Sequence, residues 1–177
     1  VDAGVSEGKG NQIFKFSPEG EVLMTLGQPG VRGESPDLFN EPSDLAIAPN
    51  GDIYVADGHI AQRSNGRIVV FNSEGEFLRA WGSKGSGPGE LDCPHSIALD
   101  SQGRVFVGDR TNNLLQLFTP DGGFSAEWTQ FGRPSGVRIR NDVLYVADSE
   151  ARDAEGQYGY SPGWHRGIRI GSVTDGV

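Results

Sequence analysis

One phrase that recurs three times constrains the fold of this chain more than any other feature. Each copy starts with Pro, continues through a short apolar stretch and a Gly- or Asp-containing turn, and ends in a second apolar stretch that closes on Asp. The copies occupy residues 42–57, 94–109 and 134–148. Self-similarity at a period of about 40 to 50 residues indicates a repeat architecture such as a solenoid or a propeller.

Two further kinds of apolar stretch accompany this phrase. The first is rich in β-branched and aromatic residues and ends in a Gly turn, and the second follows directly after that turn. Together they span residues 11–26, 67–81 and 114–128. Short strands separated by such turns predict four antiparallel strands per repeat, the pattern of a propeller blade. Since no stretch has a sustained apolar period of about 3.6 residues, we expect an all-β chain without helices.

The repeats predict one propeller segment of about three and a half four-stranded blades across residues 1–177. The predicted blades are 1–30 (partial), 40–83, 92–129 and 133–177 (partial). A propeller closes with about 4 to 8 blades, and an open arc leaves an unpaired strand edge at each end. Two explanations are therefore open: the chain is an internal part of a longer propeller, or it completes a ring by self-association.

Composition and charge exclude several classes of partner. The chain has 15 basic and 24 acidic residues, a net charge of −9 and no run of Lys or Arg, so we expect no binding to nucleic acid. Its longest apolar run, residues 143–147, is far shorter than the ~20 residues of a membrane-spanning helix, so we expect no membrane segment. The single cysteine, Cys93, excludes an internal disulfide and a multi-cysteine zinc site, and we expect it to be a small buried side chain.

These phrases resemble the NHL-repeat family, in which Gly, Pro, the Asp that closes the second strand and a Val/Ile-x-Val/Leu-Phe third strand follow in the same order. Segments 39–58, 88–96 and 109–110 are similar to two successive blades of the peptidyl-hydroxyglycine amidating lyases. The resemblance implies a six-bladed propeller that cleaves the C–N bond of a hydroxyglycine hemiaminal in a small-molecule or peptide substrate, and it favours an extracytoplasmic location. The alternative is a noncatalytic NHL scaffold that binds peptide, protein or glycan on one propeller face.

The residue after each repeating Pro starts the innermost strand of its blade, which faces the propeller axis. It is Ser43, His95 and Ser135 in consecutive blades. The resemblance implies a zinc ion on the axis, held by His residues in alternate blades, so that His95 is one metal ligand and its partner ligands lie outside this chain. A structural calcium ion is a second expected cofactor. The alternative for His95 is a polar residue that lines a wet channel.

Two residues in loops after second strands are candidate catalytic residues. The resemblance places Arg110, which follows Asp109, in the active site, where its charge would hold a carboxylate or stabilise negative charge on oxygen. A surface ion pair is the alternative for Arg110. His59, in Asp57-Gly58-His59, occupies the position of the family's catalytic Tyr. A His with an ordinary pKa of ~6.5 can accept a proton near neutral pH; an exposed loop residue without a role is the alternative.

An Asp closes the second strand of every blade, and a residue that recurs in this way is predicted to be structural. The four are expected to accept hydrogen bonds from backbone N–H groups that follow the strand. They are Asp2, Asp57, Asp109 and Asp148.

The segment 150–166 is predicted to be an insertion between the second and third strands of the last blade. It contains the aromatic residues Tyr158, Tyr160 and Trp164. Two roles are open for them: contact with a substrate or partner, and packing against their own blade.

Overall fold

The computed structural model of the protein describes residues 8–59 and 64–177. Within these ranges the chain forms β-strands and no helix. A membrane-spanning helix is therefore also absent from these ranges. The all-β prediction is therefore confirmed. The strands are β1 (Ile13–Phe16), β2 (Val22–Leu26), β3 (Pro42–Ile47), β4 (Ile53–Asp57), β5 (Arg67–Phe71), β6 (Phe77–Trp81), β7 (Pro94–Leu99), β8 (Val105–Asp109), β9 (Leu114–Phe118), β10 (Phe124–Trp128), β11 (Pro134–Arg140), β12 (Val143–Asp148) and β13 (Gly167–Ser172).

Consecutive strands of the described residues pair antiparallel into four sheets, which are the blades of a partial β-propeller. Blade one contains β1 and β2, blade two β3–β6, blade three β7–β10 and blade four β11–β13. The first strands of blades two, three and four lie next to one another. They line a common groove with residues such as Asp44, Ala98 and Arg138. They are therefore the innermost strands, as the position of the repeating Pro predicted.

The second strand of each complete blade is buried on both faces, which explains its continuous apolar run. In β4, Ile53 and Val55 pack in a cluster with blade one, whereas Tyr54 and Ala56 pack in a cluster with blade three. Side chains alternate between the two faces of a strand, so every residue of this run contacts a neighbouring blade. Burying one large apolar side chain contributes about 1.5–3 kcal/mol. These layers between blades therefore set the spacing of the blades.

A buried Asp at the end of each second strand joins the blade to the chain that enters it. The carboxylate accepts a hydrogen bond from a backbone N–H just before the first strand of the same blade. The bonds are Asn40 to Asp57 at 2.8 Å, Cys93 to Asp109 at 3.0 Å and Arg133 to Asp148 at 3.0 Å. The structural role predicted for these three residues is confirmed.

Backbone donors were predicted after the second strand, but for Asp57 and Asp109 those among residues 8–59 and 64–177 precede the first strand. The strand register explains this position of the donors. Each repeating Pro pairs with the Asp of its own blade, so the chain that enters the Pro passes over the carboxylate. Asp148 also accepts hydrogen bonds from two N–H groups after its strand, as predicted. Asp2 lies outside the described residues.

The side chains that bond to these carboxylates differ between blades. Asp57 forms an ion pair with Arg67 at 2.8 Å. Asp109 accepts instead from the neutral amides of Asn112 at 2.6 Å and Gln116 at 3.3 Å. Burial raises the pKa of both carboxylates, and it raises that of Asp109, which has no such cation, from its ordinary value of 3.8 to about 6.

Asp109 is expected to weaken the fold as the pH rises. Between about pH 4 and pH 6 the unfolded chain loses the Asp109 proton while the folded chain keeps it, so the free energy of unfolding falls by up to about 3 kcal/mol. Asp109→Asn removes this titration. Urea unfolding at pH 4.5 and at pH 7.5 should show that the variant gains stability relative to the wild type at the higher pH.

Asp57→Asn is the control for this comparison. It leaves the partly buried Arg67 without its anion, so it should lose more stability than Asp109→Asn at pH 7.5. A difference between Asp109→Asn and the wild type that does not change with pH would contradict the prediction.

Candidate functional site

The innermost strand of blades two, three and four is bulged at the residue after its Pro. In β7 the pairing with β8 passes from Pro94 directly to Ser96, so His95 has no partner across the pair. The pairing of β3 and β11 skips Ser43 and Ser135 in the same way. A bulge turns a side chain away from the regular alternation of the strand. The side chain at this position, at one end of each inner strand, therefore leaves the regular alternation of the sheet.

Two of these bulged side chains hydrogen-bond to the next blade. The Ser43 hydroxyl donates to the Pro94 carbonyl, and His95 Nδ1 lies 2.8 Å from the Ser135 carbonyl oxygen. Because a carbonyl oxygen can only accept, the proton of the neutral His95 ring lies on Nδ1, and Nε2 keeps its lone pair. A backbone carbonyl at one ring nitrogen is the usual support for an imidazole that binds a metal ion through the other.

The loop after β4 brings a second imidazole to the first. The ring centroid of His59 lies 5.1 Å from that of His95, with the two planes inclined by 38°. Gly58 permits this course of the loop, because a Cβ there would lie 1.8 Å from the Asn65 carbonyl oxygen. Two of the three predicted site residues therefore meet, although they belong to different blades.

Arg110, the third predicted site residue, starts the loop after β8 and is buried near both imidazoles. Its side chain is 9% exposed. Its Nη2 lies 3.4 Å from the His59 carbonyl oxygen, and its Nη1 lies 3.5 Å from Glu150 Oε1. Within the described residues its Nε has no hydrogen-bond acceptor. Since both contacts are long and one donor is unused, this buried cation can bind a further oxygen.

Burial and the Arg110 charge keep both imidazoles neutral. Together they lower the pKa of His95 to about 4 and lower the pKa of His59 below its ordinary value of 6.5. In each case the loss of water around the ring is the larger cause, and repulsion by the guanidinium is the next. At neutral pH each ring therefore has a nitrogen lone pair available.

Two further charged residues belong to this cluster and were not predicted from the sequence. Glu150 joins two arginines, because its Oε1 lies 3.5 Å from Arg110 Nη1 and its Oε2 lies 3.1 Å from Arg133 Nε. Arg133 also donates through Nη1 to the Arg110 carbonyl at 3.0 Å. The cluster therefore connects blade three to blade four.

The spacing of residues within the repeats points to Glu150 as a site residue. It follows Asp148 by two residues, as His59 follows Asp57, so the two occupy the same loop position in different blades. Arg133 carries a weaker signal, since it stands directly before a repeating Pro, where the residue type differs between blades.

The insertion 150–166 packs on its own blade and also presents aromatic surface. The Arg133 guanidinium carbon lies 5.1 Å from the centre of the Tyr158 ring, and that of Arg169 lies 4.7 Å from the centre of the Trp164 ring. Tyr158 is nevertheless 66% exposed. The insertion therefore packs on its own blade and still leaves aromatic surface for contact with a ligand, so the two roles predicted as alternatives do not exclude each other.

The described residues do not complete a metal site. Among residues 8–59 and 64–177, no group of three His, Cys, Asp or Glu side chains is placed to hold a metal ion. A complete set of ligands would therefore have to include residues outside these ranges.

Cys93 is buried, as predicted. It donates its thiol to the His59 carbonyl at 2.6 Å, and burial raises the pKa of that thiol.

The chain is similar to known proteins with the same repeat. The family model described as NHL repeat matches residues 39–71 and 91–118, within blades two and three and the linkers that enter them. Human NHL repeat-containing protein 3 is 37% identical over 77% of this chain and 41% of its own length. The probable peptidyl-alpha-hydroxyglycine alpha-amidating lyase of Caenorhabditis elegans is 30% identical over 88% of this chain and 47% of its own length. The chain spans less than half the length of each of these relatives.

Similar solved structures share the fold. Hydrazine synthase from Kuenenia stuttgartiensis superimposes with a TM-score of 0.62 at 15% identity, which covers 94% of this chain and 41% of that one. A catalytically inactive virginiamycin B lyase from Staphylococcus aureus gives a TM-score of 0.55 at 14% identity over 79% of this chain and 43% of that one. At these identities the likeness concerns the fold alone.

The pKa of His95 is expected to rise from about 4 when Arg110 is replaced by Gln. The substitution removes the repelling charge but leaves the ring buried, so the pKa should move towards 6.5 without reaching it. A titration followed through the ring nitrogen shifts in NMR measures this change. The same spectra identify the protonated nitrogen, which should be Nδ1 in the neutral ring.

Arg140→Gln is the matched control, because it removes the same charge at the exposed far end of β11. It should leave the His95 titration unchanged. A His95 pKa near 6.5 in the wild type, or one that Arg110→Gln does not move, would show that the guanidinium does not act on this ring.

Proposed function

We propose that this chain, an NHL-repeat protein related to the amidating lyases, cleaves the C–N bond of a carboxylate-bearing hydroxyglycine hemiaminal. The observation that supports this proposal most directly is the cluster of two neutral imidazoles and one buried guanidinium, whose Nε has no acceptor among the described residues. His59 and His95 lie 5.1 Å apart, and Arg110 reaches the His59 carbonyl. The Arg110 guanidinium can bind a substrate carboxylate, and the neutral rings of His59 and His95 can accept a proton or bind a metal ion. This combination suits a substrate with a carboxylate next to a hydroxyl group.

In the proposed reaction the substrate is R–CO–NH–CH(OH)–COO⁻, and the products are the amide R–CO–NH₂ and glyoxylate. Arg110 holds the substrate carboxylate through its N–H donors. A ring nitrogen of His59 accepts the hydroxyl proton, the C–O bond becomes a carbonyl and the C–N bond breaks. The amide nitrogen takes up one proton, so the reaction consumes and releases nothing else. The lowered pKa of His59 keeps this base unprotonated at neutral pH.

Zinc is the proposed cofactor, with His95 Nε2 as one ligand. The carbonyl at Nδ1 supports that assignment, because it leaves the lone pair of Nε2 free. When bound, zinc would polarise the substrate hydroxyl and make its proton easier to remove. The described residues provide no complete ligand set, so each step above is assigned to the chain's own side chains. The structural calcium ion expected from the sequence stays a prediction.

A noncatalytic scaffold is the second candidate function, and the bond from His95 to the next blade is compatible with it. His95 Nδ1 reaches the Ser135 carbonyl much as the Ser43 hydroxyl reaches the Pro94 carbonyl, so a purely structural role explains it equally. In that case the exposed aromatic surface around Tyr158 would bind a peptide, a protein or a glycan.

Arg110→Ala is expected to lower turnover by about 10²- to 10³-fold, the usual effect of removing one electrostatic donor from an active site. α-Hydroxyhippurate is a suitable substrate, because its cleavage releases benzamide and measurable glyoxylate. The assay uses the full-length protein with zinc supplied.

Arg140→Ala, far from the cluster, should keep full turnover. Glyoxylate release that is equal in Arg110→Ala and the wild type would exclude the catalytic role of Arg110. If the wild-type protein releases no glyoxylate, the lyase function is excluded and the scaffold function is supported.

The isolated 177-residue chain is expected not to bind zinc tightly. A stable site needs three or four protein ligands, and His95 supplies one of them. Equilibrium dialysis against zinc measures this, with His95→Ala as the reference. Stoichiometric tight binding that His95→Ala abolishes would show that further ligands lie within the chain.

A further inference from the structure

Glu150 carries the one carboxylate that the described ion pairs place against both Arg110 and Arg133. The side chains of the two arginines are only 9% and 6% exposed, whereas that of Glu150 is 25% exposed. In the ion pairs that the structure describes here, one carboxylate therefore serves two buried guanidinium groups. Solvent reaches this cluster at Glu150.

Arg110 does not need Glu150 to hold its position. Its backbone N–H donates to the Cys93 carbonyl at 2.9 Å, and its own carbonyl accepts from Arg133 at 3.0 Å. Its Nη1 lies 3.5 Å from Glu150, whereas a charge-assisted hydrogen bond measures about 2.7–2.9 Å. Glu150 therefore neutralises Arg110 without fixing its guanidinium.

Arg133 is the arginine that holds Glu150. Its Nε lies 3.1 Å from Glu150 Oε2, and the Tyr158 ring stacks on its guanidinium. The two carboxylate oxygens face different arginines. Oε1 can therefore leave Arg110 while Oε2 keeps its bond to Arg133.

We propose that Glu150 is the internal anion of the Arg110 site and that a ligand carboxylate binds Arg110 in place of Glu150 Oε1. The choice of a carboxylate ligand rests on the proposed function. Displacement frees Nη1 of Arg110, and Nε of the same side chain already lacks an acceptor within the described residues. Both donors then add to those available for the incoming anion.

This competition makes Glu150 a specificity-determining residue. A ligand with a carboxylate replaces the contact that Glu150 gives up, whereas a neutral amide of the same shape leaves Arg110 to Glu150. The hydroxyglycine substrate and the amide product differ in this respect. Glu150 therefore sets the affinity of the site for the carboxylate of the substrate and leaves its affinity for the neutral amide product unchanged.

The test compares Glu150→Gln with Glu155→Gln, which removes one charge from an exposed position of the same insertion. Hippurate is the probe, because it has the carboxylate but lacks the hydroxyl group, so binding is measured without turnover. Calorimetry on the full chain should show hippurate binding about 3- to 10-fold tighter in Glu150→Gln and unchanged in Glu155→Gln. Neutral hippuramide should bind equally to all three proteins.

Hippurate binding that is unchanged or weaker in Glu150→Gln, or that improves equally in Glu155→Gln, overturns the proposal. A measurement on the wild type does not depend on how the variant folds. Hippurate should shift the NMR signals of Arg110 Nε and of the Glu150 carboxylate carbon. A Glu150 signal that stays in place while hippurate binds also overturns the proposal.

The outcome separates this inference from the proposed lyase activity. A protein that shows the Glu150 effect but releases no glyoxylate from α-hydroxyhippurate keeps the inference and loses the lyase activity. A protein that releases glyoxylate but whose hippurate binding does not respond to Glu150→Gln keeps the lyase activity and loses the inference.

Discussion

The site depends on the hydrogen bond between each buried Asp carboxylate and the backbone ahead of the same blade's first strand. This bond holds the repeating Pro against the end of the second strand. The bulged residue after the Pro and the loop after the Asp therefore leave the sheet at one corner. Apolar layers between blades then bring the corners of blades two, three and four towards each other. His95 and Arg110 occupy one such corner, and His59 and Glu150 occupy the neighbouring two.

Burial acts differently on the charged and the neutral members of this cluster. Arg110 stays charged because a guanidinium does not lose its proton in proteins, so its charge repels a second one nearby. Loss of water around the rings, and next to it this repulsion, keep the two imidazoles neutral and lower the pKa of His95 to about 4. An anion-binding group and two lone-pair donors thus coexist within one small volume. An imidazolium beside Arg110 would instead add a second positive charge.

The repeat makes much of the fold and part of the site predictable from the sequence. Strand order, the inner position of β3, β7 and β11, and the meeting of His59, His95 and Arg110 all follow from equivalent offsets in successive blades. The bridging of two arginines by Glu150 depends on distances between loops of different blades, which offsets do not contain. The acceptor of His95 Nδ1 depends likewise on the neighbouring inner strand. The backbone donors that precede the first strand follow from the strand register, which the repeated phrases alone left open.

The bond between His95 Nδ1 and the Ser135 carbonyl means that the imidazole of His95 is oriented by a blade other than its own. The acceptor is a backbone carbonyl, which is present whatever side chain the residue carries. A substitution at Ser135 that keeps the course of β11 would therefore keep the orientation of the His95 ring. A change in the packing between blades three and four would alter this orientation without any change to His95 itself.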